Sequence, residues 1–343
     1  MRTIDFRMDV LRNGVRFDEL TIVGAPTIMC EYNALTKMSM RGEFLFNPNV
    51  NYITDELRPV VIIDGVEHFY GVFKIVTRYS AFTENGVQRD TIEAYDRSVA
   101  LSWTKLEQRD FWPAGTSYDS VIGHYLSRAG ITNAYVVQSN ETLQSDREDW
   151  DVGTDLRTII NDLLKEINYD SIWFDLHGAA QIVPYKAPDA SLIKHRYNGE
   201  NGLHVVVPEM TSEIDLYNKP NVFIAILTNP EYEEPLVATA ENNAASSKLS
   251  TLNRGLRIPE VIRVQNIASA EALQQYVNRV RNESMQTTEL VSIQTGIMPD
   301  HQVGDIVSLV HPTLGGVFRE VSWSMAMQAG NYMSHKLQRI VIL

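Results

Sequence analysis

The chain has 343 residues, 44% of them apolar, with 43 acidic against 30 basic side chains and a formal net charge of −13. That length supplies two or three domains and a sizeable core, while the acid surplus excludes a groove that grips nucleic acid, which needs clustered Lys and Arg to release counterions. The single cysteine, Cys30, excludes a disulfide framework and a cysteine-based zinc cluster; Met1-Arg2-Thr3-Ile4-Asp5 opens no apolar run of signal-peptide length, and no apolar stretch approaches the ~20 residues of a membrane span.

Residues 1–101 read as all-β. Ile4, Phe6, Met8 and Val10 alternate with polar residues, Asn13-Gly14 is a hairpin signal, and Val15 and Phe17 continue beyond it. The stretch 37–46 alternates through Met38, Met40, Gly42, Phe44 and Phe46. Val60-Val61-Ile62-Ile63 runs into Asp64-Gly65, a second hairpin turn, and 71–79 joins 87–95 across Asn85-Gly86. Short strands so regularly punctuated predict a barrel or sandwich. The polar stretch 47–58 is expected to be a long loop.

The period changes over 102–188. Ser117 starts a helix with Tyr118, Val121, Ile122, Tyr125 and Leu126 on one face, and Gly130 ends it. A strand follows at 134–138, then a charged loop at 139–149. Thr154 is expected to cap a helix bearing Leu156, Ile159, Ile160, Leu163, Leu164 and Ile167. A hairpin, 171–176 with 180–185, turns over His177-Gly178. The apolar stripes predict that both helices pack on that hairpin.

Residues 189–343 return to β. Val222 to Ile226 form a nearly continuous apolar run, as in a strand buried on both sides. The stretch 229–257, with Glu231, Glu233 and Glu234 clustered, reads as a long polar loop, mobile or functional. A strand at 263–265 precedes a helix over 269–284, capped by Ser269 and carrying Ala270, Leu273, Val277 and Val280. A meander closes the chain. Pro299 stops one strand, Gly304-Asp305 turns into Ile306-Val307, a strand over 317–327 places Val317, Arg319, Val321, Trp323 and Met325 on one face, and a last strand covers 333–342. No residue-by-residue repeat relates the two β parts.

The helix followed by Pro299-x-x-x-x-Gly304-Asp305 resembles the tail hub, or baseplate hub, proteins of tailed bacteriophages and phage-like bacteriocins, and more distantly the hub part of type VI secretion spike proteins. Tyr95-Asp96 matches the end of that family's first β domain, and Asp175 with Gly178 its middle domain. The resemblance implies a mainly β fold with an α+β insert: two tube-type antiparallel β-barrel domains, 1–101 and 189–343, and a small α/β domain, 102–188. It implies a homotrimer whose paired barrels make a pseudo-sixfold ring at the distal end of the tail tube, as a structural virion component made in the bacterial host cytoplasm. Its partners would be the tail tube or distal tail protein, a separate spike or tip protein and the tape measure protein. DNA would pass only in transit, and a channel passing it is expected to be lined by more Asp and Glu than Lys and Arg. Some hub relatives carry a fused lytic domain; none is expected here, the chain ending at Leu343 after its closing strand.

Catalytic motifs are absent: no Gly-x-Ser-x-Gly, no phosphate-binding glycine loop and no His-Glu-x-x-His. The eight histidines are scattered. His301 with Asp300 and Asp305, or Asp64, Glu67 and His68, could be drawn as metal sets, but strand-end carboxylates usually accept backbone N–H groups. The reading is therefore of no enzyme, no cofactor and no metal. The alternative is a cell-wall hydrolase or carbohydrate-binding protein acting through the middle domain, where Asp146, Glu148, Asp149 and Asp151 surround Trp150 and Asp110 lies near Trp103 and Trp112. It requires two convergent carboxylates about 5–10 Å apart in a cleft.

Overall fold

A computed structural model describes residues 3–198, 206–207, 209–215, 217, 219–228, 235–264, 266–286 and 289–340. Glu231, Glu233, Glu234, Gln265, His204 and residues 341–342 of the expected last strand lie outside the described residues. The architecture is mainly β, as expected.

β1 (Ile4–Arg12) and β2 (Val15–Leu20) turn at Asn13-Gly14 with both residues at positive φ, the turn whose twist suits the flanking strands. β3 (Ile22–Glu31) escaped the sequence reading because Gly24-Ala25-Pro26 interrupts its alternation; there its register against β4 (Met38–Leu45) shifts, and a proline is tolerated at such a bulge. β5 (Glu56–Ile63) begins inside the stretch 47–58 expected to be loop. The shorter loop is organised by Asp55, which accepts from the Asn51 N–H at 2.8 Å and from Arg12 at 2.7 Å. β6 (Val66–Phe69) follows Asp64-Gly65, and β7 (Phe73–Phe82) with β8 (Gln88–Asp96) makes the longest hairpin of this half.

A short helix, α1 (Ser98–Trp103), leads to α2 (Tyr118–Arg128), capped by Ser117 and ended by Gly130 at φ +73°. β9 (Ala134–Val136) follows. The cap of α3 (Leu156–Glu166) is Asp155 instead of Thr154: its carboxylate accepts from the Thr158 N–H at 3.0 Å, and Asp serves that position at least as well as Thr. β10 (Trp173–Phe174) and β11 (Ala180–Ile182) form the expected hairpin, with β9 parallel to β11.

After β12 (Ile193–Tyr197) and β13 (Thr211–Ile214) comes β14 (Val222–Leu227), the apolar run. The stretch 229–257 is not all loop: it holds β15 (Leu236–Glu241), antiparallel to β14, and α4 (Thr251–Arg254). Its small residues gave no pattern to read, and polar side chains order it. Asn242 donates to Ser247 Oγ at 2.9 Å, and Ser250 caps α4. β16 (Pro259–Val264) lies parallel on the other edge of β14, and α5 (Ala270–Gln286) packs on this three-stranded sheet. Ser269 Oγ accepts from the Ala272 N–H at 3.0 Å at its start. Leu273 and Val277 of α5 share one core with Phe223 and Ala225 and with Ile159 and Leu163 of the middle segment. This part of 189–343 is thus buried against the middle segment.

β17 (Glu289–Thr295), β18 (Ile306–Leu309), β19 (Gly316–Ala326) and β20 (Met333–Arg339) complete the chain. One strand pattern now appears twice. The first half is ordered β3-β4-β8-β7-β5 and the second β13-β17-β20-β19-β18, with every neighbour antiparallel. Register repeats too. Lys74 lies opposite Tyr95 just before a bulge at Val76, and Arg319 lies opposite Gln338 just before a bulge at Val321. The copies part company at the next strand: β1 is antiparallel to β5, β12 parallel to β18.

Candidate functional site

β19 joins the two halves. Residues 316–319 pair with β18 and residues 322–326 with β3. Val321 sits between, and its carbonyl accepts from the Tyr32 N–H at 2.8 Å. The bulge reverses which residues point inward, because one extra residue flips a period of two. Phe318 and Glu320 are buried before it, Trp323 and Met325 after it, so the single face expected from Val317 to Met325 does not exist. Phe318 joins Val291, Val307 and Leu337 in the second half's core, while Trp323 and Met325 join Met38 and Phe73 in the first. Trp323 meets Tyr70 edge-on, centroids 5.8 Å apart, and the Tyr70 hydroxyl donates to the Met298 carbonyl at 2.6 Å.

The Pro299–Asp305 motif forms the turn beside this seam. A Cβ on Gly304 (φ +73°) would stand 2.9 Å from the Tyr32 ring, so a glycine there lets Tyr32 close over the turn. The Asp305 carboxylate accepts from the Gln302 N–H at 2.7 Å and pairs with Lys194 at 3.1 Å. Burial alone would raise its pKa, but His195, Lys194 and the Gln302 N–H hold it below the usual carboxylate range.

The other motif residues tie the middle segment to the first half. Tyr95 donates to Glu93 at 2.8 Å. Asp96 is buried, accepting from the N–H groups of Met38 and Ser98 at 2.8 and 2.9 Å, and burial raises its pKa. Asp175 accepts from the N–H groups of His177 and Ala179, each at 2.9 Å, which shapes the turn containing Gly178. The Gly178 carbonyl accepts from Arg97 at 2.8 Å, and Arg97 makes a two-pronged pair with Glu56 at 2.6 and 2.9 Å.

The two histidine-carboxylate sets drawn from sequence are taken apart. Asp64 accepts from Thr3, Glu67 pairs with Arg7, and His68 faces Asp300 at 3.6 Å. His301 turns away from Asp300 into the second half and stacks on His195 at 4.1 Å between centroids. There it meets Glu320 of β19 and His335 of β20, all three fully buried. Glu320 Oε2 is 3.6 Å from His301 Nε2, and Oε1 contacts His335 Nδ1. Burial lowers His301 to about 4 and His335 to about 3, and raises Glu320 to about 7. Sequence reasoning missed this cluster because its members lie on three separate elements. Its one sign was polar residues at positions that alternation assigns to a core.

A cavity of 610 Å³ opens nearby, where α5 and the middle segment meet both halves, lined among others by Tyr32, Lys37, Asp170, Arg279 and Arg319. Arg279 donates to the Tyr169 carbonyl at 2.5 Å and pairs with Asp170 at 3.4 Å.

In the middle segment Glu148 is exposed, and the four aspartates are engaged individually. Asp110 pairs with Arg128 at 3.0 Å, Asp151 with Arg109, and Asp149 with Arg147; Asp146 accepts from the Ala114 N–H at 2.8 Å. Arg147 is buried against Glu166 at 2.7 and 2.9 Å, and Tyr118 donates to the same carboxylate at 2.7 Å. Trp150 is buried, with its N–H on Asp162 at 3.2 Å, so it presents no aromatic floor for a sugar.

No protein-family model matches the chain, and no curated protein does. Among solved structures, it is similar to the 43 kDa tail protein of prophage MuSo2 from Shewanella oneidensis (TM-score 0.66, 12% identity, 98% of each chain covered) and to a tail protein from Neisseria meningitidis MC58 (TM-score 0.66, 12% identity, 98% of this chain and 96% of that one). It is also similar to a type VI secretion component of E. coli described as resembling bacteriophage T4 tail proteins (TM-score 0.54, 10% identity, 97% and 77% covered). The fold is therefore that of phage tail proteins and of a type VI secretion relative, as the sequence resemblance implies.

Proposed function

We propose that this chain is a structural tail protein, three copies of which close into a ring of six β repeats at the distal end of a tail tube. The observation that carries this reading is the repeated strand order with its matching bulges. Two equivalent units per chain turn a threefold ring into a pseudo-sixfold one, the symmetry a hexameric tube requires. The division into β units at 1–101 and 189–343 around an insert at 102–188 belongs to this reading, with β14, β15, β16 and α5 assigned to the insert's core.

The repeat also supplies the contact. Within one chain, β19 beyond its bulge pairs with β3. The equivalent of that segment is β7 beyond Val76, and the equivalent of β3 is β13. Among the described residues, both of these edges are free. Tyr79 and Phe82 of β7 are 68% and 72% exposed, and Ile214 of β13 is 46% exposed. Exposed apolar residues on an unpaired edge suit strand addition. Carrying the β19–β3 register over places Arg78 opposite Ile214, Tyr79 opposite Glu213, Ser80 opposite Ser212 and Ala81 opposite Thr211 of the next copy.

One face of such a ring would seat the tube or distal tail protein and the other a separate spike or tip protein. The channel would admit the tape measure protein and DNA in transit, for which a net charge of −13 offers little adhesion. The protein has no catalytic part in this reading. The test is oxidative cross-linking of Tyr79→Cys/Glu213→Cys, with Cys30 buried and unreactive. Covalent species that stop at three chains are expected. Dimers alone, or cross-links absent even with the tube protein present, would overturn the ring.

A further inference from the structure

The hydrogen bonds around His301 and His335 fix where their ring protons lie. His301 Nδ1 is 3.2 Å from the Pro299 carbonyl, which can only accept, so Nδ1 carries the proton and Nε2 a lone pair. Thr295 Oγ1 is 2.7 Å from the Gly296 carbonyl and gives its own proton there. It must therefore accept from His335 Nε2 at 2.8 Å, which leaves the lone pair on Nδ1. The His335 lone pair contacts Glu320 Oε1, and the His301 lone pair lies 3.6 Å from Glu320 Oε2; the ionised carboxylate is an acceptor too. Glu320 Oε2 is buried with no hydrogen-bond partner among the described residues. Three acceptors thus converge, one ligand atom from each of the three residues lying within 4.8 Å of the others, with no donor among them. The Tyr197 hydroxyl can donate to His301 Nε2 at 2.5 Å, but only a cation or an extra proton between them reconciles the His335 Nδ1 lone pair with an ionised Glu320.

We propose that His301, Glu320 and His335 bind a divalent transition-metal ion of the Zn²⁺ type. Two imidazole nitrogens and a carboxylate oxygen are its usual donor set outside thiolate sites. The outward hydrogen bonds to Pro299 and Thr295 are the orienting contacts that ligand histidines make. The Tyr197 hydroxyl, 2.5 Å from His301 Nε2, would turn its oxygen lone pairs toward an ion held there. The ion would clamp the Pro299–Asp305 turn onto β19 and β20 one residue before the bulge that joins the two halves. This inference does not depend on the ring.

The test uses the full chain without a histidine tag. After Zn²⁺-supplemented expression, about one metal per chain is expected by elemental analysis. Chelation is expected to lower Tm, and Zn²⁺ to restore it. Glu320→Gln and His335→Gln are expected to lose that response, and His124→Gln, an exposed position, to keep it. Co²⁺ added to the stripped wild-type chain gives a readout independent of any variant: visible d–d absorption of a tetrahedral N,N,O site. A chain that carries no metal, shows no Tm response to excess Zn²⁺ and gives no Co²⁺ absorption holds a shared proton there, and the metal proposal is overturned.

Discussion

Val76 and Val321 occupy the same place in two copies of one pattern, each the extra residue of a bulge four residues into the named strand or at its middle, where a strand leaves one partner for the next. Beyond Val321 the next partner is β3 of the same chain; beyond Val76 there is none among the described residues. The unfilled edge can be probed by charge. Tyr79→Glu puts a carboxylate opposite Glu213 in the inferred pair, where like charges cost up to about 1 kcal/mol per contact. The variant should fold as the parent does, since Tyr79 is exposed, yet assemble more weakly. Adding Glu213→Lys should restore assembly. Analytical ultracentrifugation of the three proteins measures this.

Tyr70 and Trp323 hold the seam from the inside. Tyr70→Phe keeps the ring packing and removes the donor to Met298, so a loss of about 1–3 kcal/mol is expected, the cost of a buried unpaired carbonyl. Trp323→Ala opens a cavity between the cores and should cost about 3–5 kcal/mol. Denaturant midpoints with unchanged m-values would measure both.

Gly178 and Gly130 both have positive φ, +77° and +73°. A Cβ on Gly178 would stand 2.7 Å from Val72 Cβ, whereas one on Gly130 meets nothing within 4 Å. Gly130→Ala should cost only the left-handed backbone penalty of about 1–2 kcal/mol. Gly178→Ala should add about 1–3 kcal/mol of overpacking and separate the middle hairpin from Arg97. Thermal melts of the pair isolate the steric part.

Asp9 is buried among Arg7, Arg58 and Arg16 at 2.6, 2.7 and 3.1 Å. Burial alone would raise its pKa, but hydrogen bonds from Arg7 and Arg58 bring it net below the usual carboxylate value. With the folded-state pKa depressed, its stabilisation is present above about pH 4 and is lost as pH falls through the folded value. Asp9→Asn should therefore cost about 1.5–3 kcal/mol at neutral pH, since the arginines it leaves are partly exposed. It falls toward the lower figure because Arg7 keeps Glu67 and Arg16 keeps Glu19. The gap between wild type and variant should narrow below about pH 4, as unfolding free energies across pH would show.

Local chemistry was legible wherever a few neighbouring residues settle it. Asn13-Gly14 and Asp64-Gly65 named their turns through positive φ, Ser117 and Gly130 bounded a helix, and the apolar run at Val222 announced a largely buried strand. Where two residues offered the same service, as Thr154 and Asp155 did, spacing alone chose the wrong one. Strands with interrupted alternation, β3 at Pro26 and β15 with its small side chains, were passed over for want of a period.

The amino-acid sequence by itself determined the turns, the helix limits and the mainly β class, because backbone preferences act over a few residues. Only the tertiary structure decided that β19 serves two sheets, that His301 belongs with Glu320 and His335, and that the two halves repeat one strand order. A bulge shifts the inward face by a single residue, and strand neighbours are chosen across hundreds of residues, so neither leaves a local pattern to read.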